Sequence, residues 1–169
     1  MNEFIDKIFH LTYWEIMTDI HGGLAMLSLI LFGAVIVLLL SINGFDKAVS
    51  WLKRTMLGLF ITLTSLNLMG LFVYRPYRAK VPTSPRTILL GSEDTAWLHQ
   101  IIFEHKEFLA LVPMIIIMTA TIIVLKDGKS FRSNPLLKRA VLFAVVTALI
   151  FVLVVAAEAV LVTKAAPIK

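Results

Sequence analysis

Residues 140–163, AVLFAVVTALIFVLVVAAEAVLVT, decide the fold. A single charge, Glu158, interrupts a run of apolar side chains long enough to cross a bilayer. A helix rises about 1.5 Å per residue and the hydrocarbon core is about 30 Å thick, so about 20 residues suffice. An open strand there would leave its backbone polar groups unpaired in lipid, so the stretch reads as a helix.

Three more stretches have the same character: residues 21–42, 56–74 and 97–125. The spacing predicts an all-α, up-down-up-down bundle of four transmembrane helices forming one domain over residues 1–169. Composition agrees. The chain of 169 residues is 59% hydrophobic and 16% charged, with a mean hydropathy of +0.88. A soluble domain carries about a quarter charged residues. With no cysteine, disulfides and thiolate chemistry are excluded. The net charge of +5 resides in short loops between apolar blocks, which speaks for lipid headgroups and against nucleic acid.

The breaks between spans carry end signals. Asn43-Gly44 and Asp127-Gly128 are expected to close the first and third helices, the former through left-handed residues. Ser133-Asn134-Pro135 is expected to cap the fourth, with Pro early in the helix. Pro76, Pro82 and Pro85 are expected to end the second span, and Pro113 to disturb the third. Residues 1–20 read as an interfacial or an extended helix; Glu3, Asp6, Glu15 and Asp19 argue against a cleavable signal peptide.

Four spans place both ends of the chain and the long loop on one face, here the terminal face. The two short loops of the opposite, basic face hold Lys47, Lys53, Arg54, Lys126, Lys129, Arg132, Lys138 and Arg139, against Asp46 and Asp127. That density of cations assigns the short loops to the cytoplasm and both termini to the opposite side. Tyr13, Trp14, Tyr74, Tyr77 and Trp97 would mark the headgroup level of the terminal face, and Trp51 that of the other.

Counting helical rise from the basic face brings His21, His105, Glu158 and the pair Tyr74/Arg75 to nearly one height. Glu158, in lipid-facing surroundings otherwise, should turn inward and find a partner; its plainer alternative is to pair with Arg75 or reach the interface. Small residues follow His21, leaving room for a planar group or for close helix packing. In a four-helix ring the first and third helices are diagonal, so His21 and His105 can present imidazoles to a shared iron. Their plainer reading is two solvated interfacial histidines. His99 and His10 read as exposed surface residues. Thr62, Thr64, Ser65 and Asn67 form a polar patch suited to helix-to-helix hydrogen bonds, with Asn67 also in reach of a haem or quinone edge.

His21-Gly22-Gly23-Leu24-Ala25-Met26 opening one span, with His105 opening another two spans later, resembles the small four-helix b-type membrane cytochromes. The resemblance implies one haem b near the terminal face, with His21 and His105 as axial ligands. It further implies Arg75 or Arg78 on the propionates, a quinone as redox partner, and Glu158 handling its proton. Two other readings stand beside it. One is a non-catalytic subunit of a larger membrane enzyme, in contact with other membrane subunits as well as the bilayer. The other is a non-haem metal site of His21, His105 and Glu158. Neither a phosphate loop nor a nucleophile elbow nor a zinc-protease helix occurs in the sequence.

Overall fold

The computed structural model describes residues 12–44 and 46–166. Seven α-helices follow in order among them: α1 (Tyr13–Leu40), α2 (Ala48–Tyr77), α3 (Pro85–Leu90), α4 (Glu93–Trp97), α5 (Glu104–Leu109), α6 (Leu111–Asp127) and α7 (Pro135–Ala165). A π-helical turn, Leu98–Phe103, joins α4 to α5, and a 3₁₀ turn, Gly128–Arg132, follows α6. The segment Glu93–Arg132 is thus nearly continuous. It makes, with α1, α2 and α7, four helical stretches long and apolar enough to cross a membrane.

Local chemistry sets the helix starts. Thr12 and Glu15 form a capping box: the Glu15 carboxylate accepts from the Thr12 N–H at 2.7 Å, and the Thr12 hydroxyl accepts from the Glu15 N–H at 3.3 Å. α1 therefore begins at Tyr13, ahead of the first expected span, and the stretch from Tyr13 belongs to that helix. The remainder of the expected N-terminal segment, with His10, lies outside the described residues. Asn134 caps α7 as expected, accepting from the Leu137 N–H at 3.0 Å with Pro135 at the first helical position.

The ends differ more from expectation. Among the described residues no backbone takes a positive φ, so the left-handed close at Asn43-Gly44 does not form. α1 instead stops at Leu40, and the Ser41 N–H donates to the Val37 carbonyl at 2.9 Å. Pro76 sits inside the last turn of α2 rather than ending it, and the chain leaves the helix at Arg78. Pro113 cannot donate to the carbonyl four residues back, and the third span is interrupted nearby, between α5 and α6 at Ala110.

The long helices form a ring: α1 against α2, α2 against α6, α6 against α7, and α7 back against α1. α1 and α6 stand diagonally, as the haem reading requires. The ring closes tightly at the basic end. Phe32, Val35 and Leu39 of α1 meet Leu52, Met56 and Leu59 of α2, Ile117 and Val124 of α6, and Val141 and Val145 of α7 in one buried cluster. Thr121 on α6 donates to the Met56 carbonyl of α2 at 3.4 Å and to the Ile117 carbonyl at 2.7 Å.

The terminal end is built differently. Its smaller core joins Tyr77, Leu89, Leu98, Phe103, Val162 and Ala166, with no contribution from α1. No α1 residue before Ser28 is buried. In that stretch His21 lies against Gly70 of α2.

Candidate functional site

The polar side chains of the terminal end fall into two neighbouring groups. The first lies between α2, the π turn and α5. Tyr77 stacks on Phe103 with ring centroids 3.7 Å apart and planes 4° from parallel. The Tyr77 hydroxyl is 3.3 Å from His99 Nδ1, and Arg86 Nε–H donates to His99 Nε2 at 3.3 Å. Arginine is always a donor, so Nε2 accepts and Nδ1 carries the proton of the neutral ring. Arg78 binds both Glu104 and Glu107, and its guanidinium carbon lies 4.8 Å from the Tyr74 ring centre. Burial works against the Arg78 charge, but Glu107, Tyr74 and Glu104 outweigh it and hold its pKa above the usual arginine value.

This group corrects the expectation for His99. The ring is buried, 5% exposed, rather than at the surface. Tyr77 likewise turns inward instead of marking the headgroup level. The cause is the π turn, whose widened geometry sets His99 and Phe103 against the end of α2. His99 and Phe103 are four residues apart and Tyr74 and Tyr77 three; those matched helical spacings were the available sequence signal.

The second group spans α1, α2, α5 and α7. His105 Nδ1 and Glu158 Oε1 are 2.6 Å apart, so Glu158 does turn inward, and its partner is His105 rather than Arg75, which is exposed. Glu158 is 8% exposed, while the His105 side chain is 54% exposed. The second carboxylate oxygen, Oε2, is buried without a hydrogen-bond partner. His21 lies against α2. Its Cε1 is 3.5 Å from the position a Cβ would take at Gly70, and its Nδ1 is buried without a hydrogen-bond partner. Lys106 lies within electrostatic reach of His21, Glu107 and Glu158, and its ammonium is 4.8 Å from the Phe103 ring centre.

Six residues apart, His99 and His105 face different helices, as expected: one turns to α2, the other to α7. Of the expected propionate partners, Arg78 is already held by two carboxylates, which leaves Arg75 in solvent-facing position. Asn67 donates its amide to the Leu63 carbonyl of its own helix at 2.9 Å, and Thr64 donates to Phe60 at 2.9 Å, so these two do not act as interhelical ties. Among the described residues no three of His, Asp and Glu converge to hold a metal ion, so His21, His105 and Glu158 do not assemble as a three-ligand set.

For a two-histidine haem the donor set does fit in chemical terms. His21 offers a buried Nδ1 that makes no hydrogen bond of ordinary geometry, with the Leu66 backbone beside the ring. His105 has Nδ1 on a carboxylate, the arrangement that fixes a ligating imidazole and raises its basicity at the other nitrogen.

Fold and site together define a class: an α-helical bundle with four helices built to cross a bilayer and a concentrated polar site at one end. Comparison with family models, curated proteins and solved structures finds no match.

Proposed function

We propose that the protein is a membrane-embedded redox subunit that holds one haem b between His21 on α1 and His105 on α5, and passes electrons between a quinone and a partner. The observation that carries the reading is the pairing of two differently prepared imidazoles. One has a buried, unpartnered Nδ1; the other is oriented by the Glu158 carboxylate and keeps Nε2 for a ligand. Bound haem supplies reversible one-electron chemistry. The chain's own residues do the rest. Gly70 keeps side-chain bulk away from the His21 ring, Glu158 holds the His105 tautomer, and Lys106 lies within electrostatic reach of His21 and Glu158. Arg75 is the cation left for a propionate. Glu158 would hold a quinone proton, a role supported by its buried Oε2 having no hydrogen-bond partner.

In this reading the helices alternate up-down-up-down, the short basic loops face the cytoplasm, and both ends of the chain lie on the haem side.

The test is the absorption spectrum of detergent-purified protein produced with haem supplied. The wild type should show a Soret band with reduced α and β bands, and His21→Ala and His105→Ala should each lose it. A colourless wild type ends the reading.

A second reading, an accessory subunit packed on the flank of a larger membrane enzyme, is favoured by the outer face of α1. Gly23, Met26, Ile30, Gly33, Val37 and Leu40 are all exposed along one stripe, and a Cβ at Gly23 or Gly33 would meet nothing within 4 Å. Small residues let helix backbones approach closely in lipid. Gly33→Leu should then abolish co-purification with the partner while leaving the isolated chain folded; unchanged co-purification would remove this alternative.

A further inference from the structure

At the basic end, far from the histidines, the start of α2 meets the 3₁₀ turn around a cavity of about 370 Å³. Asp46, Val49, Ser50, Lys53, Lys129 and Arg132 line it. Three cations against one carboxylate leave a formal excess of two positive charges, 3 − 1 = 2. The cations are placed by the fold rather than scattered. Lys53 Nζ donates to the Leu125 carbonyl near the end of α6 at 2.6 Å, which leaves two of its three N–H donors for a ligand. Its stem passes so close to Gly128 that a Cβ there would stand 3.2 Å from Lys53 Cε, so a residue without a side chain keeps the lysine in place. Arg132 ties the turn to the loop before α2, donating to the Asp46 carbonyl at 3.2 Å. Lys129 is exposed on the same turn. The Asp46 carboxylate lies 3.9 Å from Arg132 Nη1 and pairs with it, but it is fully exposed, so water screens that pair, and Lys53 and Lys129 are the cations left for a ligand.

We infer that this cavity binds the phosphate of an anionic lipid headgroup. Phosphate is the ligand chemistry that a cluster of Lys and Arg donors at a membrane face selects. The source is a lipid rather than free phosphate because the cavity adjoins lipid-facing apolar surface. Leu57, on the same face of α2 as Ser50 and Lys53 and one turn beyond Lys53, is 43% exposed, and Ile61 a turn further is 55% exposed, which gives the acyl chains a path along α2.

The experiment is native mass spectrometry of the full chain released from detergent containing phosphatidylglycerol or phosphatidylcholine of equal chain length, with and without millimolar inorganic phosphate. The wild type should retain phosphatidylglycerol selectively and keep it against inorganic phosphate. Lys53→Met and Lys129→Met should each weaken retention about fivefold. Gly128→Ala should weaken it without changing the charge, by displacing the Lys53 stem. Lys138→Met removes a nearby charge outside the cavity and should change nothing. Equal retention of both lipids, equal loss in Lys138→Met, or displacement by inorganic phosphate would each overturn the assignment.

Discussion

The two ends of the bundle solve opposite problems. At the basic end all four long helices meet in an apolar core that includes Phe32, Leu39, Met56, Ile117 and Val145, each fully buried. At the terminal end no α1 residue before Ser28 is fully buried, although the Nδ1 atom of His21 is, and polar pairs join the apolar packing: Arg78 with Glu104 and Glu107, Tyr77 with His99, and His105 with Glu158. In lipid there is little hydrophobic force between helices, so packing density and hydrogen bonds must hold them together. The contrast teaches that stability and chemistry are segregated along the membrane normal. The closed end anchors the fold. The terminal end carries the polar pairs and the buried ring nitrogen of His21.

The largest effect should come from the closed end. Phe32→Ala removes a wholly buried ring and should destabilise the bundle by about 3–5 kcal/mol in denaturant titration in detergent. Phe108→Ala, on an exposed α5 side chain, should stay within about 0.5 kcal/mol. Equal effects would dissolve the distinction between the ends. Next, Glu158→Gln leaves the amide in place of the carboxylate beside His105 and should weaken haem affinity about 10–100-fold while the fold persists. Unchanged haem affinity would make the pair purely structural. Arg78→Met strands two carboxylates and should cost about 1–2 kcal/mol, read as a lower unfolding midpoint. The smallest change is Tyr77→Phe, which keeps the Phe103 stack and loses the His99 hydrogen bond. It should cost about 1 kcal/mol, and a larger loss would show that the hydroxyl carries more of the terminal end than the ring does.

The spans were legible because hydropathy over twenty residues is a strong signal, and so was the inward turn of Glu158, since an isolated carboxylate in lipid-facing surroundings is costly. Its partner was less so. Depth counted along an ideal helix puts Arg75 and His105 at the same height, and depth alone does not say which of them turns towards α7. The same π turn hides His99 from a reading based on 3.6 residues per turn. Asn67 was misjudged as a tie between helices because a side-chain amide can return to its own helix, here to Leu63, at no cost in geometry. The left-handed helix end at Asn43-Gly44 failed for a similar reason: a right-handed turn through Ser41 satisfies the last carbonyls equally well.

The central claim is that the terminal end, with a buried His21 Nδ1 on α1 and a carboxylate-held His105 on α5, holds a prosthetic group. The most direct measurement is haem content per chain, by alkaline pyridine haemochrome assay of purified protein. The account predicts about one haem b per polypeptide, bound by His21 and His105. A haem content indistinguishable from zero in protein that is folded and was made with haem available would contradict it.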